Sequence, residues 1–154
     1  MSQTVEQKLA DLGITLPTPV APLANYVPVV RTGTLLFVSG QLSIDGAGTL
    51  ITGKLGGGVE IETGRNAARQ CAINILAQVK AAVGDLEKVV RVVKLVGFVN
   101  STPDFVDQPK VMNGCSDLLV EVLGDKGRHA RSAVGIAALP FDAAVEVEAV
   151  VEVA

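Results

Sequence analysis

The sequence predicts an α+β fold in which helices cover one face of a single sheet. Residues 145–148 read Val-Glu-Val-Glu, and this period-two alternation is typical of a strand with one buried face. Residues 63–83 place apolar side chains at helical spacing and are followed by Gly84, which is typical of a helix end. Taken in order, the segments read ββαβαββ after a short N-terminal helix, and this order favours the α+β class.

The length and composition favour one domain, residues 1–154, that assembles with copies of itself. The chain has 154 residues, of which 49% are hydrophobic. No apolar stretch reaches the roughly 18 residues that a bilayer-spanning helix needs, so we expect no membrane partner. Apolar surface in excess of a small core is typical of subunit interfaces, which predicts a homo-oligomer. The net charge of -3 does not favour nucleic acid as a partner.

Residues 1–22 are predicted to form an N-terminal helix and a proline-rich connector. Apolar residues at helical spacing precede Gly13, and the following prolines favour extended chain. The segment lacks the charged and then apolar order of a signal peptide, so we expect a cytoplasmic protein. Cys71 and Cys115 fall in predicted helices without Cys or His at metal-ligand spacing. We therefore expect both to be core residues, and we predict no metal site.

Two strands are predicted early in the chain. Tyr26–Arg31 and Leu35–Ser39 are joined by Thr32-Gly33-Thr34 and are typical of a hairpin. The second strand ends in Ser39-Gly40, where glycine allows the backbone to turn or to approach a ligand.

Residues 45–58 are rich in glycine, show no clear period and predict a mobile loop with at most a short strand. Within this segment, residues 48–54 match seven positions of a phosphate-binding loop. The eighth position is Leu55, which has no hydroxyl for magnesium, and glycines follow where a helix is required. We therefore do not expect a nucleotide site.

The middle of the chain predicts a buried strand and a second helix. Lys88–Val99 is dense in valine with few polar breaks, as expected of a covered strand. Ser101-Thr102-Pro103-Asp104 has the residue types of a helix start. Pro109 should interrupt that helix, so its main run is predicted at Lys110–Leu123.

Residues 127–153 carry the candidate site. Two alternating runs are separated by a short connection containing Pro and Asp, which predicts an antiparallel pair. On the first of these strands, Arg131, Ala133 and Gly135 share one face. A guanidinium beside such small side chains leaves room for a flat anion, such as a carboxylate or a phosphate.

Other side chains near Arg131 have two interpretations at this point. His129 lies on the same face and is either a second donor or a surface residue. Tyr26 is more typical of a core residue than of a ligand contact. Three glutamates of the last strand form either a solvated face or the source of a carboxylate that orients or deprotonates water: Glu146, Glu148 and Glu152. Spacing alone does not fix which of them lies near Arg131.

These residues resemble the signatures of the Rid (YjgF-like) family, and the resemblance covers nearly everything after about Leu23. The matching segments are Ala24-Asn25-Tyr26, Phe37-Val38-Ser39-Gly40-Gln41, Gly97-Phe98-Val99, Asp104-Phe105, and the run from Arg131-Ser132-Ala133-Val134 through Leu139-Pro140 to Val145–Ala149. The resemblance implies a chorismate-mutase-like α+β fold. It also implies a trimer whose sheets form an inner barrel, with ligand sites in the clefts between subunits.

The resemblance further implies a chemistry: hydrolysis of reactive enamine and imine intermediates to 2-keto acids and ammonium, without metal or cofactor. By position, Arg131 would hold the substrate carboxylate and Glu146 would orient the attacking water. The candidate binding residues are Tyr26, Ser39, Gly40, His129 and Ala133.

Departures from the family pattern favour a second hypothesis. The deaminating members usually have Cys where this chain has Ala133, and an amide near Pro103, where this chain offers only Asn100. The alternative is a non-catalytic protein that binds small carboxylates, such as 2-keto acids, at the same inter-subunit cleft. A third interpretation, a ribonuclease, has little physical support in an acidic chain with one His and few aromatics.

Overall fold

The computed structural model describes residues 2–19 and 24–154, so part of the predicted connector, residues 20–22, lies outside the described residues. The helices are α1 (Val5–Asp11), α2 (Ile61–Val83) and α3 (Gln108–Leu123). The main sheet contains β1 (Val29–Thr32), β2 (Leu35–Leu42), β5 (Val89–Asn100), β6 (Ala130–Ile136) and β7 (Val145–Val153), and a small parallel pair is formed by β3 (Lys54–Leu55) and β4 (Gly58–Val59). The predicted α+β class and order of elements are confirmed. None of the described helices is long and apolar enough to cross a membrane.

The main sheet has the strand order β1-β2-β7-β5-β6. Strand β5 lies between the two C-terminal strands, parallel to β6 and antiparallel to β7. The predicted antiparallel pairing of these two strands is therefore wrong. The connection between them is not a hairpin, because it passes across the end of β5, where the Asn100 N–H donates to the Ala144 carbonyl at 2.9 Å.

Helices α2 and α3 pack on one face of the sheet. In β7 the odd-numbered residues from Val145 to Val153 are buried, whereas the even-numbered residues are half-buried or exposed. The alternating residues therefore occupy two faces of the strand, one that packs toward the helices and one that points away from them. We call the second face the open face. Among the residues it exposes are Val30, Phe37 and Val134.

The start of α3 differs from the prediction. The helix begins at Gln108, so Pro109 lies in its first turn, where a missing N–H has no intrahelical partner. Residues 101–104 do not begin a helix, because the Phe105 N–H donates to the Thr102 carbonyl in a turn. Proline and serine preferences are shared by helix starts and turns, which explains the error.

The glycine-rich segment is anchored rather than free in its second half. Leu55 is completely buried, and its carbonyl accepts a hydrogen bond from the Thr102 N–H at 3.0 Å. The short strand that the prediction allowed is present as β3, which pairs with β4. A mobile loop was expected because the glycine-rich sequence obscures the apolar residues that pack this segment on the core, Leu55 and Ile51.

The N-terminal helix and the helical cysteines agree with the prediction. Helix α1 starts with a capping box in which Thr4 and Gln7 satisfy each other's backbone N–H groups. An ion pair of 2.8 Å between Lys80 and Glu6 ties α1 to α2. Cys71 and Cys115 are buried free cysteines in α2 and α3, as expected of core residues.

Helices α2 and α3 approach each other closely at Gly114. A Cβ at this position would collide with the Arg65 carbonyl oxygen and would lie 2.8 Å from the carbonyl carbon. Backbone cannot move aside as a flexible side chain can, so this glycine is required by the packing of the helix pair.

We expect Gly114→Ala to lower the free energy of unfolding by about 1–3 kcal/mol, because the added methyl overpacks the helix pair. In an exposed helix interior the same substitution is stabilising, by roughly 0.5–1 kcal/mol, so the sign of the effect is diagnostic. Urea unfolding followed by circular dichroism measures it, with Glu121→Ala on the exposed side of α3 as the control. Unchanged or increased stability of Gly114→Ala would contradict the described helix packing.

Candidate functional site

Arg131 lies on the edge strand β6 and points toward α3, on the helix-covered side of the sheet. Its Nη1 donates to Asn113 Oδ1 at 2.9 Å and to Ser116 Oγ at 3.1 Å, and its Nη2 approaches the Pro109 carbonyl at 3.5 Å. The side chain is half-buried, and no ion pair of the described residues includes it. The guanidinium is therefore fixed by neutral acceptors and keeps its positive charge uncompensated.

His129 extends this network, and its partners determine the direction of each hydrogen bond. The Gly127 carbonyl, 2.6 Å from Nδ1, can only accept, so Nδ1 carries the proton. In the neutral ring Nε2 is then an acceptor, and the Ser116 hydroxyl, 2.9 Å away, donates to it. Ser116 Oγ is left to accept from Arg131. The histidine is therefore part of the network that holds Arg131 and is not a free surface residue. Its Nδ1 proton is donated to Gly127, so in the neutral ring it offers no second donor to a ligand.

The electrostatics of this cluster favour neutral partners around Arg131. Burial lowers the pKa of His129, and the positive charge of Arg131 lowers it further against the opposing hydrogen bond to Gly127. Burial raises the pKa of the Cys115 thiol to about 12, although Arg131 acts in the opposite direction. At neutral pH the arginine is therefore surrounded by uncharged groups and is free to attract an external anion.

Asn113 and Ser116 were missed by the sequence reasoning. They lie three residues apart on one face of α3, a spacing that places both side chains side by side. The available signal was a pair of polar residues on a largely apolar helix. Asn113 provides an amide oxygen to Arg131. Asn100, the amide that the sequence offers near Pro103, is completely buried and donates to Gly53 O and Asp142 Oδ1.

Glu146 belongs to a different part of the sheet. It lies on β7, with its side chain on the open face and opposite Leu42 of β2. A Cβ at Gly40 would lie 2.7 Å from the carboxyl carbon of Glu146 and would collide with one carboxyl oxygen. The β2–β7 register shifts between Val38 and Gln41, so Gly40 sits in a bulge that brings the backbone against this carboxyl group.

The pKa of Glu146 is raised because the carboxyl group is partly buried and because Glu148 lies nearby with the same charge. A raised pKa brings a carboxyl group closer to the pH at which it exchanges protons efficiently. This property distinguishes Glu146 from a fully solvated carboxylate.

Ser39 and Tyr26 belong to the same half of the molecule as Glu146. Ser39 is half-buried and lines a cavity of about 440 Å³ on the open face, together with Phe37 and Glu148. Tyr26 precedes β1 and is 58% exposed, so its placement in the first strand and in the core is wrong. The strand begins only at Val29, and the tyrosine ring is free to contact a ligand or another chain.

A single chain does not bring Arg131 and Glu146 together. Arg131 is level with Leu95 of β5, whereas Glu146 is level with Phe98, and β5 separates the two strands. Two strand spacings and three residues of rise place their Cα atoms roughly 14 Å apart. Their side chains also project from opposite faces. The expected proximity of the two residues within one hairpin is therefore wrong.

The region around Arg131 and the region around Glu146 each have a defined chemical capacity. The first, which we call the Arg131 half-site, presents an oriented cation beside Ala133 and can hold a carboxylate. The second, the Glu146 half-site, presents a carboxyl group of raised pKa beside the Gly40 backbone and can orient or deprotonate water. In the part of the chain that the structure describes, no three His, Cys, Asp or Glu side chains cluster as metal ligands would.

Comparisons with known proteins match nearly the whole chain. The sequence model of the family described as "YjgF/chorismate mutase-like, putative endoribonuclease" matches residues 6–153. Protein TCP17 of Trypanosoma cruzi is 52% identical over 98% of this chain and 95% of its own length. The crystal structure of protein Atu1372 from Agrobacterium tumefaciens is 52% identical, with a TM-score of 0.91 over 98% of this chain and 94% of that chain. A 2-iminobutanoate/2-iminopropanoate deaminase of Dermatophagoides farinae is 28% identical over 88% of this chain and 93% of its own length.

We expect the proton NMR titration of His129, the only histidine of the chain, to have a midpoint below the usual value of about 6.5. Arg131→Met removes the nearby charge and should move the midpoint upward. Arg128→Met is the matched control, because Arg128 is exposed and pairs with Asp125. An unchanged midpoint in Arg131→Met would contradict the described network.

The same shift has a consequence for stability. The folded protein binds a proton at His129 less readily than the unfolded chain does. His129 therefore does not destabilise the fold above about pH 6.5, and it lowers the free energy of unfolding as the pH falls below that value. In His129→Gln this part of the acid sensitivity should disappear, and urea unfolding at a series of pH values measures it. Equal pH dependence in both proteins would argue against a depressed pKa.

Proposed function

The chain belongs to the YjgF (Rid) family, and from this premise we propose that it hydrolyses reactive 2-imino and enamine acids to 2-keto acids and ammonium without a cofactor. The observation that carries the proposal is the Arg131 guanidinium, which α3 orients through Asn113 and Ser116 and which forms no ion pair with the described residues. The resemblance inferred from the sequence is confirmed at the level of the family and of the α+β fold.

Arg131 is the proposed anchor for the substrate carboxylate. Its hydrogen bonds within the described chain use Nη1 and Nη2, and both protons of Nη1 are taken by Asn113 and Ser116. The edge formed by Nε and Nη2 therefore keeps donors for a bidentate carboxylate. Ala133 follows two residues later on the same face, and its single methyl group adds little bulk beside the guanidinium.

A second copy of the chain is needed to complete the proposed site. The Arg131 half-site lies at the β6 edge of the sheet, whereas the Glu146 half-site lies toward the β1–β2 edge and on the other face. Contact between the β6 edge of one subunit and the open face of the next would unite them. We propose a cytoplasmic homotrimer of single-domain subunits whose sheets form an inner barrel, with the ligand in the cleft between subunits.

The chemistry in this cleft is the addition of water to an imine carbon. The protonated imine is already electrophilic, so positioning of substrate and water can provide most of the acceleration without a cofactor. The ionised carboxylate of Glu146 accepts a proton as the water oxygen bonds to the imine carbon, and the resulting carbinolamine loses ammonia, which leaves as ammonium with that proton. The products are a 2-keto acid and ammonium. The backbone at Gly40, against which the Glu146 carboxyl group packs, is the proposed further contact, and Ser39 and Tyr26 border the cleft.

The alternative function is binding of small carboxylates without turnover. The specific observation in its favour is Ala133, which offers no reactive side chain beside Arg131. Both functions require Arg131, but only the enzyme requires Glu146 for its rate. Calorimetry with 2-ketobutyrate measures binding, and saturable binding without hydrolysis would favour the binder.

We expect Arg131→Ala to lower kcat/KM for 2-iminobutyrate by about 10- to 100-fold or more, because a charge-assisted bidentate contact is lost. The imine is generated in the assay by a dehydratase, and formation of 2-ketobutyrate is followed. Arg128→Ala, an exposed arginine on the same segment, is the matched control and should retain full activity. Full activity of Arg131→Ala would rule out the proposed function for this substrate.

A further inference from the structure

A second cavity lies at the opposite end of β6 from Arg131, and the proposed function does not use it. Its volume is about 510 Å³, within the range of small-molecule sites. The wall is formed by β3, by the turn before α3 and by the last residues of β6. The residues that line it include Lys54, Ser101, Phe105, Gln108, Gly135 and Ile136.

Lys54, the lysine of the segment that partly matches a phosphate-binding loop, brings a positive charge to this cavity. Its Nζ donates to Asn100 Oδ1 at 2.7 Å and to the Ala137 carbonyl. Both acceptors are neutral, and none of the ion pairs of the described residues includes Lys54. An ammonium group has three N–H donors, so one remains for a ligand.

The position of Lys54 is set by a buried amide. Asn100 is completely buried, and its Nδ2 donates to the Gly53 carbonyl at 3.1 Å and to Asp142 Oδ1 at 3.0 Å. These two bonds turn the amide oxygen toward Lys54. The Asp142 carboxylate thus accepts a hydrogen bond from the Asn100 amide and is not paired with the Lys54 ammonium. The positive charge of Lys54 on the cavity wall is therefore not neutralised by a direct ion pair.

Gly135 allows two polar side chains of the cavity wall to pack against the β6 backbone. A Cβ at this position would lie 2.7 Å from both Ser101 Oγ and Gln108 Nε2. Without it, a hydroxyl and an amide lie directly above the β6 backbone. The half-buried side chains of Phe105 and Ile136 line the cavity as well and provide apolar surface.

We propose that this cavity binds a small organic anion that has a carboxylate at Lys54 and an apolar body against Phe105 and Ile136. The remaining N–H donor of Lys54 matches one carboxylate, because the Ser101 hydroxyl and the Gln108 amide donate within the chain to the carbonyls of Val99 and Phe105. A free phosphate would lose hydration against the apolar wall without gaining further cations. The site is separate from the Arg131 half-site, since Gly135 follows Arg131 by four residues, about 13 Å along the strand. It therefore does not depend on the proposed enzymatic function.

Calorimetric titration of the intact protein with phenylacetate tests the proposal. We expect saturable binding, at least tenfold weaker binding of the neutral phenylacetamide, and no competition by inorganic phosphate at equal concentration. No saturable heat up to about 10 mM phenylacetate, or equal affinity for the amide, would overturn the proposal.

Two variants address the cavity from opposite sides. Lys54→Met removes the ammonium but keeps the length of the side chain, and Gly135→Ala displaces the Ser101 and Gln108 side chains into the cavity while it retains the lysine. Each should weaken phenylacetate binding at least tenfold, whereas Lys88→Met, at an exposed lysine, should bind as the wild type does. Arg131→Ala should also leave binding unchanged. Wild-type affinity in both cavity variants, or loss of binding in Arg131→Ala, would contradict a separate site.

Discussion

The pairing of β5 with both C-terminal strands is the constraint on which the candidate site depends. Because β5 is parallel to β6 and antiparallel to β7, it holds Arg131 at the edge of the sheet and Glu146 two strands further in. The register then fixes the face of each side chain: Arg131 meets α3, and Glu146 meets Gly40 on the open face. Within one chain the fold thus keeps Arg131 and Glu146 apart, so the proposed chemistry requires a second copy to bring them together.

Partial burial gives the two half-sites complementary electrostatic properties. On the Arg131 side, burial and the arginine lower the pKa of His129, so the groups around the cation stay neutral. On the Glu146 side, burial and Glu148 raise the pKa of the carboxyl group, which makes it a better proton acceptor than a solvated glutamate. One half-site is therefore suited to holding an anion and the other to exchanging a proton with water.

The sequence predicted the features that depend on residues close together in the chain. Gly84 ends α2 in a left-handed conformation, and the alternation in β7 marks its buried face. Strand partners are not encoded in this way, because an alternating run is compatible with any neighbour, so β6 was assigned to β7 instead of β5. Because of that error the hydrogen bonds of Asn113 and Ser116 to Arg131 were not predicted, since these contacts depend on which strand α3 covers. The shared face of Arg131 and Ala133 was nevertheless correct, because side-chain alternation holds for any partner.

We propose that Arg131 and Glu146 act together only across a contact between subunits. The most direct test of this proposal mixes inactive Arg131→Ala and Glu146→Gln subunits, unfolds and refolds them together, and measures hydrolysis of 2-iminobutyrate. In a mixed trimer some clefts receive the intact arginine from one subunit and the intact glutamate from the next, so we expect about a quarter of the wild-type activity from an equal mixture. If the mixture stays as inactive as the separate variants while the subunits do exchange, the two residues do not share a site and the account is contradicted.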